Sequence, residues 1–364
     1  MSLTFTTKPT SQPLPAAERA RRLTNPGFGR VFTEHMVTAH WTAGRGWHDG
    51  ELVPYGPIAM DPANMALHYG QTVFEGLKAY RQPDGSIAVF RPEQNARRMQ
   101  RSAQRLALPE LSEEDFLTAI DLLVQTDRDW VPGGEDESLY LRPFMYANEV
   151  NLGVKPASEV AFQVIASPAG SYFPNGVQPV SVWLCEDYVR AAPGGTGEAK
   201  CGGNYAASLV AQAQASTMGC DQVVWLDAVE HRYVEEMGGM NMYFVLGSGS
   251  DSQIVTPKLT GSLLAGITRD SILTMAADLG LSAQERLIDT DEWREGSASG
   301  AITEVFACGT AAVVTPIGFV KHAGGEWTVA DGGPGPVTMT IRKQLLDIQQ
   351  GLAEDLHGWM TTVG

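Results

Sequence analysis

A single lysine stands among closely spaced glycines in the middle of the sequence. Lys200 lies in the segment Gly194–Tyr205, which contains five glycines. Glycines remove side-chain bulk, so a large ligand can approach the backbone closely. The segment does not match a phosphate-binding P-loop, because Cys201 stands where that motif has Ser or Thr. A lysine enclosed by backbone can lose its charge, and a neutral amine forms a Schiff base with an aldehyde. Alone, the pattern is more typical of a surface loop with a solvated lysine.

Two further segments carry groups that suit a charged aromatic ligand. Glu235 and Glu236 enter an apolar strand. Such a pair is usually a solvated strand end, but a buried carboxylate facing a pyridine nitrogen keeps that ring protonated. The segment Gly266–Ser271 directly precedes an amphipathic helix. The first backbone N–H groups of that helix, with the Thr268 hydroxyl, can bind an anion, although an ordinary threonine N-cap is more common.

Two more segments complete the set of polar groups. Thr303–Ala311 is an apolar run that ends in Gly-Thr-Ala, with a hydroxyl and exposed amides. Asn95–Arg101 gives a basic helix face in an acidic protein, where solvated arginines are the default. With Lys200, the segments supply a carbonyl-reactive amine, a carboxylate for a pyridinium nitrogen, an arginine and two backbone anion sites. Together they predict a pocket for pyridoxal 5'-phosphate.

The spacing of apolar residues predicts a mixed α/β protein with two domains. Asp84-Gly85 indicates a tight turn in a β-hairpin, and three- and four-residue steps predict helices over 95–106 and 113–130. The segment Ser167–Gly176 has two prolines, two glycines and no periodicity, which favours a linker. The predicted divisions are an N-terminal tail at 1–24, a small α/β domain at 25–167, a linker at 168–178 and a large cofactor-binding domain at 179–364.

Composition indicates which classes of binding partner are unlikely for this chain. The chain has 364 residues and a formal net charge of −16, so its surface repels nucleic acid phosphates and anionic lipid headgroups. No apolar stretch reaches the roughly 18 residues that a transmembrane helix needs. The four cysteines are far apart and form no Cys-x-x-Cys pair, which favours reduced thiols over disulfides or a metal site. We therefore expect a cytoplasmic protein that acts on small molecules and holds no metal.

Six longer motifs of the sequence occur in the same order in one known family. These motifs are Leu67–Tyr80, Leu139–Pro143, Lys200–Tyr205, Glu236–Asn241, Gly266–Arg269 and Glu304–Ala311. From about Asn25 to Trp359 the chain resembles the branched-chain amino acid aminotransferases, which are class IV pyridoxal phosphate enzymes. The resemblance implies a smaller α/β N-terminal domain, a larger C-terminal pseudo-barrel domain, a cofactor between them, and a homodimer as the minimal unit.

The same resemblance implies roles for residues at the cofactor. Lys200 matches the lysine that binds the cofactor and moves the proton, and Tyr205 matches the tyrosine that bonds its phenolic oxygen. Glu236 rather than Glu235 matches the partner of the pyridinium nitrogen, because it stands five residues before Asn241. The implied phosphate site consists of Arg98, placed before Met99 and preferred to Arg97, together with Ile267, Thr268 and Thr310.

The implied substrate site combines aromatic residues with one cation. Arg142 is expected to pair with the γ-carboxylate of glutamate, since an apolar pocket otherwise leaves that charge unpaired. The other implied substrate residues are Tyr69, Phe74, Tyr140, Gly239, Thr310 and Ala311. Gly239 replaces a hydroxyl residue of some relatives, so only its backbone can contact substrate. The run 312–315 lacks the Cys-x-x-Cys of mammalian-type members, so no thiol switch is expected there.

The activity that follows is a reversible ping-pong transamination. The amino group of leucine, isoleucine or valine passes to 2-oxoglutarate, with Lys200 as the acid–base group. Two activities of the same fold are the alternatives, namely those of a D-amino acid aminotransferase and an aminodeoxychorismate lyase. A glycine-loop phosphate-binding protein without catalysis is the alternative from a different class.

Overall fold

The computed structural model describes residues 2–171 and 176–364. The chain divides into two compact units. The N-terminal unit comprises Met1–Pro174, Ala199–Gly203 and Asp347–Gly364, and the C-terminal unit comprises Asn175–Glu198 and Asn204–Leu346. The main division falls inside the predicted linker, part of which (172–175) lies outside the described residues. Among the described residues, no helix is both long and apolar enough to cross a membrane.

The N-terminal unit is built on an open sheet whose described strands follow the order β1-β3-β2-β8-β7-β5-β6-β18, with β4 beside β7. Its strands are β1 (Phe5–Thr7), β2 (His35–Thr42), β3 (Gly46–Pro54), β4 (Thr72–Phe74), β5 (Leu77–Arg81), β6 (Ile87–Phe90), β7 (Ser138–Ala147), β8 (Glu159–Ala169) and β18 (Met360–Thr362). Its helices are α1 (Ala16–Leu23), α2 (Met65–Tyr69), α3 (Pro92–Arg105) and α4 (Glu113–Thr126), followed by a 3-10 turn at Arg128–Trp130.

The sequence explains the local structure of this unit. The β5–β6 hairpin turns at Gly85, whose φ of 85° favours glycine. The predicted helices correspond to α3 and α4, and the Ser112 side chain caps α4 by accepting from Asp115 N. One apolar face of α4 packs into the core through Phe116, Ile120 and Leu123. These elements place α3 and β4 on either side of the short segment that contains Lys200.

The C-terminal unit contains a sheet that closes on itself. Its strands are β9 (Val180–Cys185), β10 (Gln222–Leu226), β11 (Val234–Met237), β12 (Met240–Leu246), β13 (Gln253–Pro257), β14 (Ser282–Arg286), β15 (Ile302–Gly309), β16 (Val313–His322) and β17 (Gly325–Thr328). The pairings run β11-β10-β9-β16-β15-β12, and β12 pairs again with β11. This ring of six strands agrees with the expected pseudo-barrel, and β13 and β14 extend from β12.

Helices flank this ring of strands. They are α5 (Gly202–Thr217), which begins in the N-terminal unit's segment 199–203, α6 (Ile267–Met275), α7 (Thr290–Ser299) and α8 (Pro336–Gln349), with a 3-10 turn at Gly249–Asp251. Gly219 follows the end of α5 with a φ of 70°, a conformation that favours glycine after a helix. Glu304 on β15 accepts from the backbone N–H groups of Val337 and Thr338 at 3.0 and 2.7 Å. That motif residue therefore caps the start of α8.

Two segments differ from the sequence-based divisions. Residues expected to form a tail contain β1, which pairs in parallel with β3, and helix α1. The C-terminal residues return to the first unit, where β18 pairs antiparallel with β6. The N-terminal unit consequently contains segments from both the beginning and the end of the sequence. Neither pairing has a local sequence signal, because each joins segments far apart in the chain.

Candidate active site

Lys200 is held through its backbone by two elements of the N-terminal unit. Its N–H donates to the Ser102 hydroxyl oxygen at 2.9 Å, and its carbonyl accepts from Phe74 N at 3.0 Å. The Lys200 amine nitrogen lies 4.9 Å from the centre of the Phe74 ring. A side chain at Gly202 would place its Cβ 2.7 Å from the Thr72 hydroxyl oxygen. Glycine at 202 therefore permits the close approach of this segment to β4.

Arg98, the predicted phosphate ligand, is buried in an ion pair with Glu75. Its Nε and Nη2 each lie 2.8 Å from one carboxylate oxygen of Glu75. Asn95 Nδ2 donates to the same carboxylate at 2.7 Å. Burial alone would raise the pKa of the Glu75 carboxyl, but the charges of Arg98 and Lys200 and the donated hydrogen bonds hold it below its usual range. Glu75 is therefore an ionised carboxylate inside the protein.

Three predicted substrate residues of the N-terminal unit lie together. Arg142 Nη2 donates to the Tyr140 hydroxyl at 3.0 Å. The Arg142 guanidinium carbon lies 4.8 Å from the centre of the Phe74 ring and 5.3 Å from that of Tyr140. At Gly76, a Cβ would lie 2.0 Å from the Tyr140 hydroxyl oxygen. Gly76 thus leaves the space that this hydroxyl occupies, a role that the sequence analysis missed.

A cavity of about 200 Å³ adjoins Tyr140 and Arg142. Its other lining residues are Phe28, Gly29, Phe32, Ile165, Ala166 and Ser167. The Phe28 ring meets Tyr140 edge-on, with ring centres 5.0 Å apart. The sequence analysis also missed Phe28, whose signal was the pattern Gly27-Phe28-Gly29, in which both glycines have positive φ. The cavity walls are apolar except around one guanidinium, one phenol and one serine.

Tyr69 is a further predicted substrate residue of the N-terminal unit. It is the last residue of the short helix α2 and is exposed. Its hydroxyl donates to the Leu152 carbonyl. It does not line the cavity beside Tyr140 and Arg142. In this structure the residue belongs to a surface that also contains exposed Leu67 and Leu152.

In the C-terminal unit, Glu236 on β11 is buried and bound on both carboxylate oxygens. Oε1 accepts from Leu264 N at 2.7 Å, and Asn241 Nδ2 lies 3.4 Å away. Oε2 lies 3.0 Å from Nε of Arg190, a buried arginine that no sequence motif singled out. Arg190 Nη2 also donates to the Ser262 carbonyl at 2.5 Å. Backbone and arginine together orient Glu236 as an acceptor.

Glu235 has a different environment from its neighbour in sequence. Its Oε1 accepts from the Ser262 hydroxyl, and its Oε2 is buried without a hydrogen-bond partner. Burial raises the pKa of Glu235 to about 7, and the negative charge of Glu236 adds to the rise. Of the two acids, Glu236 therefore has the partners that favour a carboxylate.

The remaining predicted cofactor and substrate residues lie at the ends of strands and helices. Helix α6 begins after Gly266, where no side chain caps it, so Ile267 and Thr268 contribute first-turn amides. Gly239 lies between β11 and β12, and a Cβ there would be 3.4 Å from the Tyr205 ring. Thr310 and Ala311 lie between β15 and β16.

These groups have the chemistry that pyridoxal phosphate requires. The N-terminal unit supplies an amine beside an aromatic ring and a buried arginine. The C-terminal unit supplies a buried carboxylate with three polar partners and an uncapped helix start. The amine suits an aldehyde, and the carboxylate suits a protonated pyridine nitrogen, from which it can accept a hydrogen bond. The arginine and the helix amides are donors that suit a phosphate. The residues fit the cofactor.

Comparisons with known proteins agree with this chemistry. Residues 72–318 match the family of class IV aminotransferases. A probable branched-chain-amino-acid aminotransferase of Streptomyces coelicolor is 61% identical over 99% of both chains. The branched-chain amino acid aminotransferase structure of Escherichia coli has a TM-score of 0.75 at 28% identity, covering 91% of this chain and 100% of that one. The T.th. branched-chain amino acid aminotransferase complexed with N-(5'-phosphopyridoxyl)-L-glutamate has a TM-score of 0.72 at 29% identity, covering 90% and 98%.

The matches settle the class of protein. They extend over nearly the whole chain, and they do not favour the D-amino acid aminotransferase or lyase alternatives. The cofactor prediction is likewise confirmed as pyridoxal 5'-phosphate. The chain belongs to the class IV aminotransferases, among the branched-chain amino acid aminotransferases.

Proposed function

We propose that this protein transfers the amino group of L-leucine, L-isoleucine or L-valine reversibly to 2-oxoglutarate, giving branched-chain 2-oxo acids and L-glutamate. The observation that carries the proposal is the position of Lys200. Its backbone is held by Ser102 and Phe74, and its amine lies against the Phe74 ring. A lysine held in this way can present its amine to a reacting atom repeatedly in the same orientation.

Lys200 Nζ is the acid–base group in this proposal. Bound pyridoxal phosphate supplies a protonated aromatic ring that withdraws electrons from the α-carbon of the substrate. Lys200 Nζ takes the α-proton and later returns a proton, a kind of transfer that contributes about 10²–10⁴-fold in rate. Glu236 keeps a negative charge for the ring nitrogen, because Leu264 N and Arg190 favour its ionised form.

Other residues bind and orient the cofactor. Arg98 contributes positive charge to the phosphate, and the α6 amides add donors at the start of a helix, where the dipole favours an anion. Tyr205 would donate to the phenolic oxygen of the bound cofactor. The proposed phosphate residues are Arg98, Ile267, Thr268 and Thr310.

The substrate is bound by an apolar cavity with one cation. Phe28 and Ile165 supply apolar walls for a branched side chain, and Arg142 supplies a partner for the γ-carboxylate of glutamate. Both substrates can thus use one pocket without leaving a charge unpaired. The remaining proposed substrate contacts are Tyr69, Phe74, Tyr140, Gly239, Thr310 and Ala311.

Covalent labelling tests the proposal directly. Borohydride reduction of the purified protein, followed by peptide mass analysis, is expected to place the mass of the cofactor on Lys200. Lys200→Ala is expected to abolish transfer from leucine to 2-oxoglutarate while the thermal unfolding profile stays close to wild type. The matched control is Lys258→Ala, which removes an exposed lysine and should retain activity. An adduct on another lysine, or turnover by Lys200→Ala, would contradict the assignment.

We further propose that the enzyme is a cytoplasmic homodimer. An apolar surface of the N-terminal unit supports the dimer, because exposed clusters of this kind are typical of interfaces. Its strongly exposed members are Leu67, Val150, Leu152 and Val154. The four buried free cysteines support a reducing compartment. Sedimentation analysis is expected to give twice the chain mass, and Leu152→Asp is expected to shift it toward the monomer.

A further inference from the structure

Glu75 is a buried acid within the Leu67–Tyr80 motif. Neither the family resemblance nor the proposed mechanism gives it a role. It is fully buried, and its carboxylate is ionised beside Arg98. Removing a carboxylate from water is unfavourable unless its partners compensate. Here the compensation is specific, since both oxygens bind the two guanidinium nitrogens Nε and Nη2 at 2.8 Å. A bidentate pair of this kind holds the plane of the guanidinium as well as its charge.

A second contact keeps the carboxylate itself in place. Asn95 Nδ2 donates to Glu75 Oε2 at 2.7 Å and to the Gly76 carbonyl at 3.2 Å. Asn95 thereby joins helix α3 to the chain immediately after β4. Glu75 cannot rotate without losing bonds to two residues of that helix.

The same helix also holds the backbone of Lys200. Asn95, Arg98 and Ser102 are spaced by three and four residues, so they share one face of α3. Ser102 accepts the Lys200 N–H at 2.9 Å, whereas Arg98 and Asn95 bind Glu75. Arg98 and the residue that holds the Lys200 backbone therefore lie on the same face of α3, so the positions of Arg98 and Lys200 are fixed relative to each other.

We propose that Glu75 is a positioning residue that orients Arg98 toward the cofactor phosphate. The inference rests on the proposed function, because that proposal gives Arg98 the phosphate. In this role Glu75 holds the guanidinium plane before the phosphate arrives, so binding does not have to order a long side chain. The consequence is a preference for the phosphorylated cofactor over the same aldehyde without phosphate.

The test compares pyridoxal phosphate with unphosphorylated pyridoxal. Each is titrated into the full-length protein after removal of its cofactor, and the ratio of the two dissociation constants is the phosphate preference. Glu75→Gln is expected to lower this preference at least about 10-fold, the size expected for one charged hydrogen-bonded contact, with the affinity for pyridoxal nearly unchanged. Glu75→Asp keeps the charge but is too short for both bonds, so it should also lower the preference. The matched control is Glu113→Gln, which removes an exposed acid paired with Arg97.

The outcomes separate this inference from the proposed function. Arg98→Met should lower the preference strongly, and adding Glu75→Gln to it should cause no further loss. An unchanged preference in Arg98→Met would refute the phosphate role of Arg98. A normal preference in Glu75→Asp, or a further loss from Glu75→Gln in the Arg98→Met protein, would overturn the positioning role. If Glu75→Gln does not fold, Glu75→Asp decides, because it retains the buried charge pair.

Discussion

Each unit of the molecule contains a buried pair of an acid and an arginine, and the two pairs are bonded differently. In the N-terminal unit, two nitrogens of Arg98 bind the two oxygens of Glu75. In the C-terminal unit, Nε of Arg190 lies 3.0 Å from one oxygen of Glu236, and Nη2 of Arg190 donates to the Ser262 carbonyl. The other oxygen of Glu236 accepts a backbone N–H.

The difference indicates which partner is being oriented. Glu75 accepts two hydrogen bonds along one edge of its arginine, so the acid determines the plane of the guanidinium. Arg190 is held by the backbone, and together with Leu264 N it determines the position of the Glu236 carboxylate. In the roles proposed above, the same pair of residue types serves a phosphate through its cation in one unit and a pyridine nitrogen through its anion in the other.

The largest expected effect on kcat in this comparison comes from replacing Glu236, whose carboxylate is held in position by its partners. Glu236→Gln is expected to lower kcat about 10²–10³-fold, the usual cost of losing one preorganised electrostatic group, while the cofactor stays bound. Steady-state kinetics with leucine and 2-oxoglutarate measure the loss, and the absorbance of the protein reports the cofactor. Glu235→Gln, the control at the adjacent residue, should keep kcat within about twofold of wild type. Equal losses in the two variants would remove the distinction between the two acids.

A smaller effect on kcat is expected when Arg190 is replaced by a residue that keeps the positive charge but lacks the planar guanidinium. Arg190→Lys is expected to lower kcat about 10-fold, since one ammonium cannot bind both Glu236 and the Ser262 carbonyl in the same geometry. The KM for leucine should change little, because Arg190 binds the acid rather than the substrate. Arg232→Lys is the control, as Arg232 forms an exposed pair with Asp289. Wild-type kcat in Arg190→Lys would mean that charge alone holds Glu236.

Replacing Glu235, which belongs to neither ion pair, is expected to have the smallest effect on turnover. It is expected to have a clear effect on the free energy of unfolding. The pKa of Glu235 is raised to about 7, above its ordinary value of 4.5. The folded protein therefore keeps a proton that the unfolded chain releases, and this contribution to stability is lost as pH rises between those values. Glu235→Gln should unfold like wild type at pH 5 and be more stable at pH 8 by about 1–3 kcal/mol.

Urea unfolding at the two pH values measures this change. Glu113→Gln, which alters an exposed acid, should show no such dependence on pH. A Glu235→Gln protein with the same advantage at both pH values would show that Glu235 is ionised throughout. Glu235 would then resemble the paired acids more closely than its contacts indicate.

Some parts of this site follow from local sequence, and others do not. The glycines around Lys200, the Asp84-Gly85 turn and the Ser112 cap act within a few residues, so spacing alone predicts them. The partners Glu75 and Arg98 are 23 residues apart, and Arg190 is farther still from Glu236. Such pairs depend on how helices and strands pack, and Arg190 carries no local pattern. Phe28 lies between two glycines, which is a local pattern, but only folding brings its ring to Tyr140.

The return of the C-terminal residues to the first sheet affects how the protein is made. Strand β18 covers the edge strand β6, and Tyr80 on β5 donates to Gln349, a residue 269 positions later. During synthesis the ribosome releases β6 long before it releases β18. The nascent N-terminal unit therefore exposes an unpaired strand edge until β18 has been synthesised, and uncovered edges of this kind recruit other strands. Pairing with β18 closes that edge.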